Sequence, residues 1–281
     1  MSAPEGLSAH GGGWFVLKLG GELVGKGKLG GIAAALRAFV EAGIRVAVVH
    51  GGGPQATELT KRLGLTPRQI AGRRVTDEGV LQVMKQALAG EVSVDLAAEL
   101  RSHGLVVVAL HGVSAGLVDA VKRPPRVITG GPPEPVDLGH VGDVVGVNVA
   151  LLETLAAAGY LPVIASLGGD AAGQVFNINA DIVATKVAAA LHARKLLLVA
   201  AVGGVRGDPA VPESRLPRLT PAACREQIAA GVITGGMIPK VEEALAGLAA
   251  GIGAVHVVGA GDGELLEEVL TPGSRGTVFE A

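Results

Sequence analysis

Cysteine, aromatic residues and charge imbalance are all scarce in this chain. Its single cysteine, Cys224, cannot close an intramolecular disulfide and is too few for a cysteine-based metal site, so a reducing cytoplasm is the expected location. Lys and Arg total 24 against 26 Asp and Glu, a net charge of −2. With no basic run and no patch of interleaved aromatics, a nucleic-acid partner is not expected. No stretch reaches the roughly 18 uninterrupted apolar residues of a membrane span. Residues 1–13 carry Glu5 and His10 but no basic region leading into an apolar run, so they read as a flexible N-terminus rather than a leader. The chain reads as soluble, with no membrane partner.

What is abundant is small residues. Among 281 residues there are 44 glycines and only 2% aromatics, which implies a core of Ala, Val and Leu and many turns needing positive φ or close backbone approach. The length suits one large α/β unit or two lobes sharing a sheet. Short apolar runs alternate with helix-period segments: a strand over Trp14–Leu19, a helix through Ile32, Leu36, Phe39 and Val40, a strand over Arg45–Val49. Helical patterns follow at Gly79–Ala89 and Glu91–Ser102, then a buried strand Leu105–Leu110, a helix Val149–Ala158 and a strand Leu161–Ser166. After a helix Ala180–His192 come a strand Leu196–Ala200, a loop Val202–Leu219, helices Pro221–Ala230 and Pro239–Ala250, and a strand Ala254–Val258. Strands apolar on both faces belong to a mostly parallel sheet covered by helices. Between Val118 and Asp143 prolines and glycines interrupt the rhythm, and this segment reads as a hairpin excursion on the substrate side. No internal repeat is found. The boundary candidate is the loop after Ser166, giving lobes over 14–168 and 169–281.

Five clusters carry chemistry. Lys18-Leu19-Gly20-Gly21 ends a strand, where ligands of open α/β sheets collect, and presents a cation suited to phosphate. His50-Gly51-Gly52-Gly53-Pro54-Gln55 ends the next strand and opens a helix, so its peptide N–H groups and the helix dipole make an anion nest. It has neither the Lys-Ser/Thr ending of a P-loop nor dinucleotide-type glycine spacing. His50 itself reads as a packed strand-end residue. In Gly72-Arg73-Arg74-Val75-Thr76-Asp77-Glu78 the arginines suit a carboxylate ligand, since a guanidinium matches two carboxylate oxygens, and Thr76 or Asp77 can cap the next helix. The residues alone do not separate Arg73 from Arg74. Asn177 and Asn179 share one side of an extended segment, with Asp181 beginning a helix that either Asn179 or Asp181 can cap. Asp181 can also offset the repulsion between clustered lysines. Finally, Gly235-Gly236 precede a helix whose first turn presents Lys240 to a nucleotide phosphate.

In this order, these clusters together with Gly139-His140-Val141-Gly142-Asp143 resemble the amino-acid kinase family over nearly the whole chain from Trp14. Arg-Val-Thr-Asp and Asn-x-Asn-Ala-Asp resemble the branch that phosphorylates the side-chain carboxylate of N-acetyl-L-glutamate, a step of arginine biosynthesis. The resemblance implies a three-layer αβα sandwich with a mostly parallel central sheet. Its N-terminal lobe would bind the acylamino acid and dimerise, and its C-terminal lobe would bind ATP. It implies Lys18 and Lys240 as stabilisers of the transferring phosphoryl and Asp181 as their organiser. Gly52 and Gly53 would donate N–H groups, and Arg74, with Asn177 and Asn179, would hold the substrate. Gly20, Gly21, Gly236 and Lys240 would contact the nucleotide. Mg²⁺ would come with ATP through water ligands, so no metal site is expected in the protein.

Departures from the family pattern occur at Ala200-Ala201-Val202, where a hydroxyl and a carboxylate are usual near the nucleotide, and at Leu110–Gly116, which lacks Gly-x-Asp-Gly. Without a long amphipathic N-terminal helix, the expected assembly is a homodimer insensitive to arginine. The alternatives are a sister kinase for acetylaminoadipate and a non-catalytic amino-acid sensor.

Overall fold

The computed structural model describes residues 4, 6–25, 29–128, 130–201, 203–208, 211–233 and 237–280. The main strands are β1 (Trp14–Leu19), β2 (Arg45–His50), β3 (Val107–His111), β4 (Val118–Lys122), β5 (Gly142–Val147), β6 (Leu161–Ala165), β7 (Leu167–Gly169), β8 (Val175–Asn177), β9 (Lys195–Val199), β10 (Arg218–Leu219), β11 (Ala254–Val258) and β12 (Thr277–Phe279). The helices are α1 (Gly30–Glu41), α2 (Gly53–Arg62), α3 (Glu78–Met84), α4 (Ser93–Ser102), α5 (Val149–Ala157), α6 (Ala180–Ala190), α7 (Pro221–Ala229), α8 (Met237–Ala249) and α9 (Glu264–Leu270).

An eight-stranded sheet runs in the order β10-β12-β11-β9-β1-β2-β6-β3. Every pair in it is parallel except β11–β12. The β1 side chains explain why both faces are covered. Trp14 and Val16 pack with Val183, Val187 and Val241 of α6 and α8, while Phe15, Leu17 and Leu19 pack with Leu36 and Phe39 of α1 and Leu265 of α9. A strand apolar on both faces is stable only between two helical layers, and each Leu or Phe so buried contributes about 1.5–3 kcal/mol. A second, four-stranded sheet in the order β8-β7-β4-β5 stands over one end of the first. It contains the expected hairpin excursion, since β4 and β5 pair antiparallel.

Several expectations are corrected. The two helices expected over 79–89 and 91–102 form one helical run from Glu78 to Ser102, joined by a π-helical stretch Lys85–Val92. Nothing in Gly90 breaks it, because the i→i+5 pattern continues the backbone ladder across that residue. The strand read as buried at 105–110 is a half-exposed edge, with only β6 beside it. The stretch expected to be loop over 202–219 contains a short ladder of Val205–Arg206 with Arg215–Leu216, and β10 extends the main sheet. Helix α9 and strand β12 were not anticipated; both are short and lack a full period. Near the N-terminus, Leu7 is fully buried in the α1 layer, and Ala9 carbonyl accepts from Arg194 Nη1 at 2.7 Å. Residue 168, where the division was expected, lies inside β7; in the main sheet β10, β12, β11 and β9 lie on one side and β1, β2, β6 and β3 on the other, meeting at the β9–β1 pair.

Candidate active site

The chain leaves β1 toward β2 on one side and reaches β9 on the other, so the strand order reverses at β1. A crevice opens where such a reversal meets the carboxyl ends of the strands. Here it is a cleft of about 790 Å³ between the sheets, lined by Lys18, Gly20, Gly21, Gly52, Gly53, Arg74, Asn177, Asn179, Asp181 and Lys240. These are all the residues predicted for the site except Gly236, which with Gly235 lies outside the described residues.

Lys18 sits one residue from the end of β1, on the Trp14–Val16 side, where α6 begins. Its Nζ is 3.1 Å from Asp181 Oδ1, and both side chains are largely buried, at 11% and 14% exposure. Asn179, not Asp181, caps α6 by accepting from Asp181 N–H at 2.9 Å, leaving the Asp181 carboxylate for the lysine. An acidic group in the first turn is also favoured by the helix dipole. Lys240 and Glu243 lie about one turn apart on α8 and line the same cleft. Burial, and then the Asp181 charge, push the Glu243 carboxyl above its ordinary value.

The glycine loop after β2 is tied to the loop after β1 at two points. Gly51 N–H donates to Leu19 carbonyl at 3.0 Å, and Gln55 Nε2 donates to Gly21 carbonyl at 2.7 Å. The backbones approach so closely that a Cβ on Gly21 would lie 2.7 Å from Gly52 Cα. This contact requires glycine at position 21. Helix α2 starts at Gly53 with no side-chain cap, so the Gly52 and Gly53 N–H groups have no intrahelical acceptor, and both glycines line the cleft.

Of the adjacent arginines, Arg74 is the anchored one. Its Nη2 donates to Gly53 carbonyl at 3.0 Å and to Thr57 Oγ1 at 2.7 Å, while its buried Nη1 has no partner. Burial draws its pKa below the ordinary arginine value. One edge of the guanidinium is thus fixed on α2, and Arg74 lines the cleft. Thr76, fully buried, accepts from Asn177 Nδ2 at 3.0 Å, and its backbone pairs with Leu138 and His140. Gly139 at φ +77° allows that pairing, since a Cβ there would meet Thr76 carbonyl at 2.3 Å. Asp77 caps α3 by accepting from Val80 N–H.

Sequence reasoning missed Arg123, Arg126, Ser166 and Glu243, which also line the cleft. Arg123 is buried and donates through Nε to Asp143 Oδ1 at 2.7 Å, which accounts for the acid ending Gly139–Asp143. Glu243 had a signal, its i+3 spacing from Lys240; Arg123 had only the Pro124-Pro125 that follows it. In the departing segment Ala200 N–H donates to Val258 carbonyl at 3.0 Å, neither Ala200 nor Ala201 lines the cleft, and Val202 lies outside the described residues. Among the described residues no group of three or more His, Cys, Asp or Glu could hold a metal ion.

Fold and cleft define a doubly wound α/β protein with a polar cleft at the carboxyl ends of its strands, lined by Lys18, Arg74, Arg123, Arg126 and Lys240, by the glycine loops and by Asp181 and Glu243. Residues 13–259 match the model of the amino acid kinase family, and the chain belongs to that family. It is 53% identical to an acetylglutamate kinase of Anaeromyxobacter dehalogenans (strain 2CP-C), over 95% of this chain and 99% of that one. It is equally identical to an acetylglutamate kinase of Sorangium cellulosum (strain So ce56), over 94% of each. Among solved structures, smu.665 from Streptococcus mutans UA159 superposes with a TM-score of 0.75 at 30% identity, over 95% of this chain and 98% of that one. N-acetylglutamate synthase from Neisseria gonorrhoeae, complexed with coenzyme A and N-acetyl-glutamate, gives a TM-score of 0.81 at 27% identity. The match covers 98% of this chain and 61% of the synthase.

Proposed function

We propose that this chain transfers the γ-phosphoryl group of ATP to the side-chain carboxylate of N-acetyl-L-glutamate. The products are ADP and N-acetyl-L-glutamyl 5-phosphate, the activated acid of arginine biosynthesis. Supporting this reading most directly is the coexistence, in one cleft, of a buried Lys18–Asp181 pair, an uncapped helix start and an Arg74 edge without a partner. The relatives named acetylglutamate kinase support the choice of acceptor.

The acceptor carboxylate is ionised at neutral pH and attacks phosphorus directly, so no general base is required. The bond from phosphorus to the bridging β,γ-oxygen breaks as the new bond to the carboxylate oxygen forms, and the electron pair leaves with ADP. Catalysis then rests on alignment and on neutralising charge spread over the phosphoryl oxygens. Lys18 and Lys240 supply the cations, Asp181 holds Lys18, and the Gly52 and Gly53 N–H groups supply fixed dipoles. Arg74 receives the α-carboxylate through its free edge, and Asn177 and Asn179 border the acyl group. Mg²⁺ would arrive on the nucleotide phosphates, with water as its remaining ligands, because the cleft carboxylates form no cage. The lobe carrying β1 to β6 would hold the acylamino acid and the lobe carrying β9 to β12 the nucleotide, in a cytoplasmic homodimer.

The test is ADP release dependent on N-acetyl-L-glutamate, with hydroxylamine trapping of the acyl phosphate. One methylene is worth only about 1–3 kcal/mol in a pocket, so N-acetyl-2-aminoadipate is the decisive competitor. Higher kcat/KM for N-acetyl-L-glutamate is expected, and a preference for the longer acid would overturn the named acceptor.

A further inference from the structure

His50, at the carboxyl end of β2, is fully buried and touches no cleft space, yet both of its ring nitrogens are engaged. Nδ1 lies 2.9 Å from the carbonyl oxygen of Gly51, and Nε2 lies 2.9 Å from Ser93 Oγ at the start of α4. A carbonyl only accepts, so Nδ1 must carry the hydrogen. Nε2 is then an acceptor, and the Ser93 hydroxyl must donate to it. The bonds therefore run in one direction, from Ser93 through the imidazole to the Gly51 carbonyl.

That carbonyl belongs to the same planar peptide unit as Gly52 N–H, and in a trans peptide the two point in opposite directions. With the Gly51 carbonyl drawn toward His50, Gly52 N–H is turned away from the buried imidazole and toward the cleft. Nothing local would hold the unit there otherwise. Glycine has the widest backbone freedom of any residue, and Gly51, Gly52 and Gly53 follow one another without a side-chain cap on α2. Gly51 N–H is held by Leu19 carbonyl at 3.0 Å, which fixes the preceding peptide but not this one. Burial pushes the His50 pKa down to about 4, so the ring stays neutral and keeps a single tautomer through the physiological range.

We infer that the Ser93–His50 pair is a positioning device for the phosphoryl-transfer step, locking the Gly51–Gly52 peptide so that Gly52 N–H is aimed at the transferring group. This inference rests on the kinase reading above. It assigns His50 no proton transfer.

The experiment compares His50→Leu, which removes the donor at similar volume, with His50→Asn, whose amide can donate from nearly the Nδ1 position. His50→Leu is expected to lower kcat by about 10- to 100-fold with KM for N-acetyl-L-glutamate little changed, as for loss of a preorganised donor. His50→Asn should recover most of kcat. Ser93→Ala, which leaves the ring but frees Nε2, should lower kcat a few-fold, and it decides the matter if His50→Leu does not fold. Nitrogen-15 spectra of the parent should show the His50 imidazole protonated at Nδ1, and the Gly52 amide should shift when a non-hydrolysable ATP analogue is added. These two readouts need no turnover, so a parent inactive toward every acylamino acid would sink the acceptor assignment while the spectra still judged His50. An Nε2–H tautomer overturns the inference. So does a folded His50→Leu with the parent's kcat, or one in which only KM rises.

Discussion

Two lysines are buried in adjacent strands of the same sheet, and they do opposite things. Lys18, 8% exposed, stands at the carboxyl end of β1; Lys195, 6% exposed, stands at the amino end of β9, opposite Phe15. Lys18 meets Asp181 on one side and the cleft on the other, so its charge is available to a ligand. Lys195 meets protein on every side. Its Nζ is 3.3 Å from His256 Nε2, and His256 Nδ1 is 2.8 Å from Glu268 Oε1. The Glu268 carboxylate, fully buried, also accepts N–H groups from Gly273, Arg275 and Gly276. Burial draws Lys195 below its ordinary value, and burial likewise draws His256 down. Burial alone would raise the Glu268 carboxyl, but His256 and the three backbone N–H groups together hold it below the usual carboxylate range. A closed chain of donors and acceptors organises the turn between α9 and β12. An open pair of the same kind of residue organises a site.

The comparison is broken most decisively at Lys18. Lys18→Met should lower kcat by about 10³-fold or more, since a preorganised charge at the transition state is lost, while the thermal midpoint stays within a few degrees. A variant with the parent's kcat would place Lys18 with Lys195 as structure only. At the other end, Glu268→Ala removes one partner of a buried network and should cost about 3–5 kcal/mol in urea unfolding. Folded Glu268→Ala should keep kcat and KM within a few-fold, and a large loss of kcat in folded protein would erase the distinction.

The smallest effect is the pH dependence. His50 and His256 have folded pKa values below the ordinary 6.5, so between the two values the unfolded chain binds more protons. Their stabilisation is complete above about pH 6.5 and is lost as pH falls toward the folded values. Glu268 adds to the loss at still lower pH, below its ordinary 4.5. Each group contributes a slope of at most about 1.4 kcal/mol per pH unit. Urea midpoints measured from about pH 7 down to pH 5 should therefore fall, and His256→Gln should flatten part of that slope. A midpoint that rises on acidification would contradict both buried-histidine assignments.

Much of the cleft was legible because its parts are local. Lys18, Gly51–Gly53 and Asn177–Asp181 each follow the end of an apolar strand, and strand ends of a parallel sheet converge by topology alone. Choosing Arg74 over Arg73 on physical grounds was not possible, because what separates neighbours is the Gly53 carbonyl and the Thr57 hydroxyl on another element. Arg123 was illegible for the same reason: its partner Asp143 is twenty residues away across the β4–β5 hairpin. Packing of Leu7 and exposure of β3 depend on which layers happen to lie beside them.

The amino-acid sequence by itself determined the alternation of strands and helices, the glycine turns at strand ends, and the presence of capped helix starts at 76–77 and 179–181, because these follow from periodicity and short-range hydrogen bonding. Only the tertiary structure decided which charged side chains would be buried and what each would face there. Lys18 and Lys195 are each one lysine in an apolar strand. Their environments differ because burial and pairing are set by residues far away in the chain: the start of α6 and an open cleft for one, His256 and Glu268 for the other.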